Sequence, residues 1–524
     1  MMEQRYSTSR YNWFVPLAES ADALAYNTLC GSLVVIPAAL QHRLELLAVT
    51  GESVGPGDEL AALVPFGLLI PNGFDELAEV RRRARKLRGG AGNLVLTIAP
   101  TLSCNFRCEY CFQDHPPVFM SDEVAERLIA FVAGRAAGLE GLGITWFGGE
   151  PLLATPIIHR LSRAFRELAA GHGFTLGPAS IITNGWGLTE RNCRLLQDCG
   201  IGFIQVTLDG VGGTHDRRRP LADGSGTFDR VVRGIATALK LLPEAKITVR
   251  ANLEETNAEA VDELERYFRA AGAADRLSVY AAVTQPFASC SKVEAPLTLL
   301  RVNEIVSRQR AHQAARGSRP TQLPVLRSHG YCQAQFQSAF VVSPTGALFK
   351  CWRDLGLDET SAVGNLMTRE QPANNQARVI RQEFETWDFT QDEECAHCGV
   401  APICGGGCML DGMRHAGDFS RPRKVCSPYR DRHHLTETLL AAYRSRAASE
   451  AGTAAPGIQV ISHGTPWAAA AVEPNWGAPA DQEPDAFFVC TCPVLYHPPC
   501  PQLAFKTVPA NPRQESAVPA LTDL

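Results

Sequence analysis

Residues 101–112 read Thr-Leu-Ser-Cys-Asn-Phe-Arg-Cys-Glu-Tyr-Cys-Phe, and this stretch decides how the whole chain is interpreted. It brings three cysteines, Cys104, Cys108 and Cys111, close together in the sequence. Three such thiolates can hold three corners of a [4Fe–4S] cube and leave the fourth iron open to a small ligand. Two alternatives stay open here: a zinc ion whose ligand set is completed by His115, and loop cysteines that bind no metal.

An alternation of strands and helices begins just before the cysteines. Six strands are predicted, each followed by a segment of helical periodicity, at residues 93–98, 144–147, 180–183, 203–208, 246–250 and 277–282. Alternation of this kind is typical of parallel strands joined by right-handed crossovers. Six such units curve into a partial barrel, and ligand sites in these folds lie at the carboxyl ends of the strands.

Polar and glycine residues recur where the predicted strands end. Paired glycines let the backbone approach another group closely, and a buried carboxylate can accept hydrogen bonds from an ammonium group. One such end alone is an ordinary turn, but their recurrence at successive strands indicates a site for a small polar ligand. The candidate residues are Gly148, Gly149, Glu150, Thr183, Asn184, Asp209, Arg250 and Asn252.

Composition excludes several classes of protein. The 524 residues are 45% hydrophobic, and 50 Lys and Arg stand against 55 Asp and Glu, giving a net charge of −5. A disordered chain would be less apolar, and a protein that binds nucleic acid through phosphates would usually be basic. We find no apolar run near the roughly 18 residues that a membrane span needs, and residues 1–10 lack an apolar signal core. We therefore expect a cytoplasmic protein with no nucleic-acid or membrane partner. The clustered cysteines among its 17 indicate metal or redox chemistry rather than disulfides, whereas Cys193 and Cys199, on a predicted helix, are expected to be small buried apolar residues.

Over about residues 93–315 the chain closely resembles the radical S-adenosylmethionine (SAM) enzymes. The resemblance rests on the spacing of Cys104, Cys108 and Cys111, on Tyr110 before the third cysteine, and on the Gly-Gly-Glu sequence at residues 148–150. It implies an α/β fold with a partial (β/α)6 TIM-like barrel, a [4Fe–4S] cluster and SAM bound to the open iron. Reductive cleavage of SAM would then give a 5′-deoxyadenosyl radical.

The same resemblance assigns roles to the strand-end residues. Glu150 would orient the amino group of SAM, and Tyr110 would approach the adenine. Candidates for contacts to the ribose or carboxylate are Thr183, Asn184, Asp209, Arg250 and Asn252.

A second set of cysteines, in residues 316–446, resembles the SPASM extension of this family, which holds auxiliary iron–sulfur clusters. The resemblance implies one cluster on Cys395, Cys398, Cys404 and Cys426, and another on Cys332, Cys351 and Cys408. The latter is one ligand short, so either Cys290 completes it or an open iron binds a substrate thiolate. A zinc ribbon is the alternative, because paired Cys-x2-Cys and Cys-x3-Cys spacings are also typical of zinc sites.

Residues 1–92 predict a small α+β domain, with strands at 12–17 and 32–36 and helices at 38–48 and 74–87. Such a domain is similar to the leader-recognition elements of peptide-modifying enzymes, which bind a peptide by adding a strand to a sheet edge. The basic run at residues 81–88 is interpreted either as a solvated helix face or as a dock for an acidic partner segment.

The end of the chain has a different composition. After a predicted helix at 435–445, residues 447–484 are rich in Ala, Gly and Pro and predict a flexible linker, the first part of a linker-and-tail region at 447–524. Cys490, Cys492 and Cys500 follow; with His497 they could bind a metal, dock onto the core or have no role.

The SPASM-bearing enzymes that this chain resembles mostly modify peptides or proteins. The leading hypothesis is a maturase that forms a thioether or carbon–carbon crosslink, or epimerises a residue, in a ribosomally synthesised precursor peptide. Its other partner would be a low-potential electron donor such as flavodoxin or ferredoxin.

Two other functions stay open. One is an anaerobic sulfatase maturase that forms formylglycine; in those relatives an Asp directly follows the second auxiliary cysteine, whereas here Trp352 follows Cys351 and the candidate base, Asp354, lies three positions away. The other is an iron–sulfur electron carrier without catalysis.

Overall fold

We describe the protein from a computed structural model. The structure describes residues 4–88 except 19, residues 92–284, residues 332–368 except 357, residues 386–408, and most positions between 426 and 462 other than 427, 448–451 and 456. It also describes isolated positions between 297 and 384.

The N-terminal region is a small α+β unit, as predicted. Its central strands β2, β3 and β4 form an antiparallel meander, while β1 and β5 pair separately. The strand β3 is missing from the sequence prediction because all five of its residues are buried, so it lacks the alternation that marks a half-buried strand. The elements are β1 (Tyr6–Thr8), β2 (Asn12–Pro16), β3 (Ala23–Asn27), β4 (Leu33–Ile36), α1 (Ala38–Thr50), β5 (Leu69–Pro71) and α2 (Glu76–Arg88).

The six predicted strands of the barrel are all present, parallel and in sequence order, apart from one short extra strand, β8, at the edge of β7. The strands are β6 (Asn93–Ile98), β7 (Gly141–Trp146), β8 (Thr175–Leu176), β9 (Ala179–Thr183), β10 (Ile201–Thr207), β11 (Lys246–Leu253) and β12 (Leu277–Val283). The helices are α3 (Asp122–Ala133), α4 (Thr155–His172), α5 (Glu190–Asp198), α6 (Gly213–Arg218), α7 (Phe228–Leu241) and α8 (Ala260–Ala270). This arrangement confirms the α/β fold with a partial (β/α)6 barrel.

One core holds the strands and helices of the barrel together. Leu96, Ile144 and Ile181 point from neighbouring strands into the same buried cluster as the inner faces of the helices. Helix α3 begins where the Ser121 hydroxyl accepts a hydrogen bond from the Val124 N–H at 3.2 Å, a typical N-cap. Because the six barrel strands are parallel, their carboxyl ends lie at the same side of the sheet and share a single mouth.

The cysteine-rich segment continues the barrel sheet. Strand β13 (Ala339–Val342) pairs in parallel with β6, the first barrel strand, and β14 (Ala347–Phe349) and β15 (Gly364–Asn365) follow it antiparallel. Two short helices, α9 (Glu393–Ala396) and α10 (Ala401–Cys404), carry further cysteines. The β6 edge of the barrel is thus covered by the segment that resembles an auxiliary domain.

The predicted flexible linker at 447–484 is wrong for residues 452–462. After helix α11 (Arg432–Ala447), strands β16 (Gly452–Ala455) and β17 (Ile458–Ser462) form a hairpin. Strand β17 pairs antiparallel with β4, so the hairpin extends the N-terminal sheet. Its pairing partner lies more than four hundred residues away in sequence, where local composition carries no signal.

The interpretation of the basic run as a solvated helix face is correct for Arg82 and Arg85, which are exposed, but wrong for Arg83. Arg83 is buried and pairs with Glu79 at 2.6 Å, and Arg82 pairs with the same carboxylate at 2.6 Å. Arg81 Nε donates to Oγ1 of Thr390, in the cysteine-rich segment, at 2.7 Å. Three of the basic side chains on α2 are therefore used in contacts within the chain. Among the helices of the described ranges, none is both long and apolar enough to cross a bilayer.

Candidate active site

The three motif cysteines lie on the loop that leaves the carboxyl end of β6, as predicted. The Phe106 N–H donates to Sγ of Cys104 at 3.4 Å, and Nδ2 of Asn184, from the end of β9, lies 3.9 Å from the same sulfur. Burial, a nearby Glu150 and the neighbouring Cys108 and Cys111 raise the pKa of Cys104 to about 12. Buried thiols that lie close together do not readily ionise, because their negative charges would be desolvated and would repel each other. A positively charged metal centre would stabilise the thiolates, so these three cysteines fit a [4Fe–4S] cluster.

His115, the predicted alternative ligand, lies beside Cys111, with its Nε2 3.1 Å from the sulfur. Within the ranges that the structure describes, no three His, Cys, Asp or Glu side chains are grouped closely enough to bind one metal ion. Ligands of one zinc ion lie within about 4 Å of each other, whereas the thiolates of a cube bind different irons and are farther apart.

Gly148 and Gly149 hold the cysteine loop against the end of β7. Gly148 has a positive φ of 123°, and a side chain there would overlap the carbonyl oxygen of Thr101. A side chain on Gly149 would overlap the backbone of Ser103. The sequence predicts that these glycines let the backbone approach a ligand, but the close approach in the structure is to the cysteine loop itself.

Glu150 follows directly and is 2% exposed. Its carboxylate accepts hydrogen bonds from the Thr183 hydroxyl at 2.7 Å, the Asn184 N–H at 2.7 Å and the Leu152 N–H at 3.0 Å. Burial raises its pKa in spite of these donors. A buried carboxylate this close to Cys104 is suited to bind a cation, since a neighbouring positive charge would offset its desolvation.

Tyr110 anchors the other side of the loop. Its hydroxyl donates to Oδ2 of Asp209 at 2.6 Å and accepts from Nδ2 of Asn252 at 2.9 Å and from Arg219. The Asp209 side chain is fully buried, and its second oxygen accepts the Asn252 N–H at 2.9 Å. Since these donors occupy the Asp209 carboxylate, the structure favours a role for Asp209 in positioning Tyr110 and Asn252 over direct ligand contact. Arg250 lies two residues before Asn252 on β11, and its Nε donates to Oδ1 of Asn252 at 2.8 Å.

Two arginines of the site are absent from the sequence prediction. Arg218 pairs with Glu109 at 2.8 Å and Glu254 at 2.9 Å, and Arg219 lies against Tyr110. Burial acts to lower the pKa of Arg219, but the neighbouring Cys108, Tyr110 and Asp209 raise it, so it stays charged. The only signal in the sequence is the Arg-Arg-Arg-Pro run at 217–220, which does not reveal that two of these arginines are buried.

Five of the auxiliary cysteines pack in two different places. Cys332, Cys351 and Cys408 pack against the barrel core. Cys351 and Cys408 are close enough for the second to contribute to the raised pKa of the first, although burial is the main cause. Cys395 and Cys398 pack against the N-terminal unit, and Cys426 accepts a hydrogen bond from Arg430 at 2.9 Å. Cys404 lies buried at the end of α10.

Asp354 lies in the turn after Cys351, and its charge also raises the pKa of that thiol, after burial. The turn is close to the barrel mouth, because Trp352 packs on Phe147, with ring centroids 5.1 Å apart. Cys290, Cys490, Cys492 and Cys500 lie outside the described residues.

Comparison with known proteins identifies the class. Residues 98–268 match the model of the radical SAM superfamily, so the chain contains a radical SAM domain. The cofactors of that superfamily are a [4Fe–4S] cluster and SAM.

Two curated relatives resemble part of the chain. A serine-type anaerobic sulfatase-maturating enzyme of Klebsiella aerogenes is 34% identical over 137 residues, which cover 25% of this chain and 33% of the relative. A GTP 3′,8-cyclase of Rhizobium meliloti (strain 1021) is 31% identical over 183 residues, or 34% of this chain and 49% of the relative. The chain thus spans between a third and a half of the length of these relatives.

Two solved structures resemble more of the chain at low identity. A histidine-tagged form of anSMEcpe with bound AdoMet has a TM-score of 0.52 at 17% identity and covers 68% of this chain and 97% of its own. Streptococcus suis SuiB bound to precursor peptide SuiA has a TM-score of 0.48 at 16% identity, covering 80% and 99%. At 17% identity, the likeness to anSMEcpe concerns the fold alone.

Proposed function

We propose that this chain is a radical SAM maturase that acts on a peptide or protein, and that its substrate is a ribosomally synthesised peptide that it crosslinks or epimerises. The observation that carries the proposal is the contact network that joins Glu150, Asn184 and Cys104. It links a buried carboxylate to the cysteine loop, across two strand ends, within a radical SAM domain.

In this proposal Cys104, Cys108 and Cys111 hold the [4Fe–4S] cluster, and Glu150 binds the amino group of SAM. When bound, cluster and SAM supply a 5′-deoxyadenosyl radical that abstracts a hydrogen atom from the substrate. Gly148 and Gly149 fix the cysteine loop. Contacts to the rest of SAM are assigned to Tyr110, Thr183, Asn184, Arg250 and Asn252, with Asp209 positioning two of them.

The auxiliary cysteines are assigned to two further clusters. One cluster is assigned to Cys332, Cys351 and Cys408, which pack against the barrel core. The other is assigned to Cys395, Cys398, Cys404 and Cys426, of which Cys395 and Cys398 pack against the N-terminal unit. Asp354, beside Cys351, is the candidate base that takes a proton from the substrate. A flavodoxin or ferredoxin of low potential would supply the electrons.

A peptide substrate is supported by the N-terminal unit. Its antiparallel sheet packs on the cysteine-rich segment, where the Thr28 hydroxyl donates to the Gly399 carbonyl at 2.6 Å. Peptides commonly bind such sheets by adding a strand at an edge.

The test is anaerobic incubation of the reconstituted protein with candidate precursor peptides, SAM and dithionite, followed by mass spectrometry. Loss of two hydrogens from the peptide indicates a crosslink, and gain of one deuterium from deuterated water indicates epimerisation. A peptide left unchanged while 5′-deoxyadenosine accumulates would contradict that choice of substrate.

A second candidate function is supported by the similarity to the serine-type anaerobic sulfatase-maturating enzyme of Klebsiella aerogenes. A maturase of this kind would oxidise a Ser or Cys in a short sulfatase-motif peptide. Against it stands the sequence after Cys351, where Trp352 takes the place of an Asp. Oxidation of a short sulfatase peptide would favour this second function.

A further inference from the structure

The segment at the end of helix α6, residues 218–222, pairs with the cysteine loop as a short antiparallel ribbon. Phe106 and Leu221 form a bridge between the two segments. Three backbone hydrogen bonds extend the pairing at alternate residues: Ala222 N–H to Asn105 O at 3.0 Å, Arg107 N–H to Pro220 O at 2.8 Å, and Glu109 N–H to Arg218 O at 3.2 Å. We call residues 218–222 the clamp segment, because they hold the loop that carries the motif cysteines.

The register of this ribbon sets Cys108 opposite Arg219. The hydrogen-bonded positions on the cysteine loop are 105, 107 and 109, so residues 106 and 108 belong to the non-hydrogen-bonded pairs. The side chains of such a pair share one face and lie closer together than those of a hydrogen-bonded pair. The Arg219 guanidinium accordingly lies 5.7 Å from the centroid of the Phe106 ring and donates to the Tyr110 hydroxyl. Arg219 therefore lies on the same face of the ribbon as the Cys108 thiol.

The charge interactions of Cys108 agree with this placement. Burial raises the pKa of the Cys108 thiol, and the Arg219 guanidinium is the strongest influence that lowers it. A nearby positive charge favours the thiolate over the neutral thiol. Arg219 is therefore close enough to Cys108 to act on any negative charge that this side chain carries.

The carboxylates around the clamp segment pair with Arg218 and not with Arg219. Arg218 lies 2.8 Å from Glu109, 2.9 Å from Glu254 and 3.8 Å from Asp209. In the part of the chain that the structure describes, Arg219 forms no ion pair with a carboxylate, and its buried Nε has no hydrogen-bond partner. A buried charged donor without a partner is costly, so an acceptor that binds beside it would be stabilised. The positive charge of Arg219 is thus left for a group held by the cysteine loop.

We propose that Arg219 acts through Cys108: it supplies a buried positive charge beside this ligand and thereby raises the reduction potential of the [4Fe–4S] cluster on the cysteine loop. This inference rests on the proposed function, in which Cys104, Cys108 and Cys111 hold that cluster. Net charge and hydrogen bonds to the sulfurs are among the properties that set the potential of such clusters. The clamp segment supplies both, because its backbone pairing fixes Arg219 against the loop.

The step that Arg219 assists is the transfer of one electron. A low-potential donor of the flavodoxin or ferredoxin class loses one electron and the cluster gains it, without transfer of a proton or a change in covalent bonds. The reduced cluster carries one more negative charge than the oxidised cluster. A nearby cation therefore stabilises the reduced form more, and burial keeps this interaction from being screened by salt.

The experiment compares variants of the full chain that keep or remove this charge. Arg219→Gln removes the charge and retains an N–H donor for the Tyr110 hydroxyl, whereas Arg219→Lys keeps the charge. The matched control is Arg217→Gln, which removes the same charge from an exposed side chain two positions earlier. Each protein is reconstituted anaerobically with iron and sulfide and titrated with dithionite without SAM, while electron paramagnetic resonance follows the reduced clusters. The barrel cluster is recognised as the signal that changes when SAM is added to a parallel sample.

Arg219→Gln should shift the reduction equilibrium of that cluster at least about tenfold toward the oxidised form, which lowers its midpoint potential by about 59 mV or more. Arg219→Lys and Arg217→Gln should keep the midpoint potential of the unmodified chain. The first retains the buried charge, and the second removes a charge that solvent already screens. A midpoint potential reports the charge beside the cluster directly, whereas a merely structural role of Arg219 would change stability and leave the potential unaltered.

The outcomes separate this inference from the function on which it rests. Equal midpoint potentials in Arg219→Gln and Arg217→Gln would overturn the inference and leave the radical function standing. Weaker SAM binding by Arg219→Gln with an unchanged midpoint would also overturn it, and would make Arg219 a contact for SAM.

The charge-keeping variant decides the case in which Arg219→Gln does not bind the cluster. A loaded Arg219→Lys protein with the unmodified midpoint would support the need for a charge at this position. An Arg219→Lys protein that also fails to load, or that has a lowered midpoint, would overturn the inference. If the fully loaded unmodified chain shows no signal that responds to SAM, the proposed function fails and the inference fails with it.

Discussion

The hydroxyl of Thr183, at the end of β9, donates a hydrogen bond of 2.7 Å to the carboxylate of Glu150, which follows β7. This contact ties two adjacent strand ends together beneath the cysteine loop. Because Glu150 is buried, hydrogen-bond donors such as Thr183 stabilise its charged form, and a cation bound beside it would stabilise that form further. The negative charge of the site is therefore held where these two strands end.

Glu150→Gln should weaken SAM binding at least about tenfold, or about 1.4 kcal/mol, because an amide cannot attract the ammonium group and has one acceptor oxygen in place of two. The dissociation constant of SAM for the reconstituted protein is the measurement. Glu123→Gln, on the exposed first turn of α3, is the matched control and should bind SAM normally. Unchanged affinity in Glu150→Gln would remove Glu150 from the SAM site.

Gly149→Ala should destabilise the protein by about 1–3 kcal/mol, since the new methyl group overlaps the Ser103 backbone and pushes the cysteine loop away. Urea unfolding measures the loss. Gly171→Ala, in α4, meets no atom within 4 Å and should be neutral or stabilise by up to about 1 kcal/mol. Equal stabilities of the two variants would show that the loop does not depend on this close approach.

Tyr110→Phe should cost about 1–3 kcal/mol of stability, because Asp209, Asn252 and Arg219 each lose a buried partner. The control is Tyr267→Phe, whose ring packs edge-on against Phe228 and should change stability by no more than about 0.5 kcal/mol. Thermal unfolding distinguishes the two. A Tyr110→Phe variant as stable as the control would mean that the hydroxyl network contributes nothing net.

Cys351→Ala should lower the iron content of the reconstituted protein by about four atoms, the content of one auxiliary cube. Visible absorbance should fall in proportion. Cys193→Ala, a buried cysteine on α5 that packs in the apolar core, should retain all its iron. Iron content that is the same in both variants would contradict an auxiliary cluster at Cys351.

Much of the barrel could be predicted from the sequence because each strand carries its own signal. The six strands alternate with helical segments, and their polar ends mark one mouth. The sequence does not predict strand β3 or the hairpin at 452–462, for different reasons. The first is buried on both faces and shows no alternation, whereas the second is set by pairing with a strand distant in sequence.

The residues of the candidate site also divide into those that have a local sequence signal and those that do not. Cys104 and Glu150 are visible from local motifs, but Arg219 is not, because only the folded chain places it on Tyr110. The sequence predicts that the backbone at Gly149 approaches another group closely. It does not predict that this group is the Ser103 backbone, because that contact depends on how the loop folds over β7.

Cleavage of SAM by the anaerobically reconstituted protein tests the central claim most directly. With dithionite present, the unmodified chain should convert SAM to 5′-deoxyadenosine and methionine. The triple variant Cys104→Ala, Cys108→Ala and Cys111→Ala should lose the barrel cluster and form none. Production of 5′-deoxyadenosine by the triple variant, or its absence from the fully loaded unmodified chain, would contradict the account.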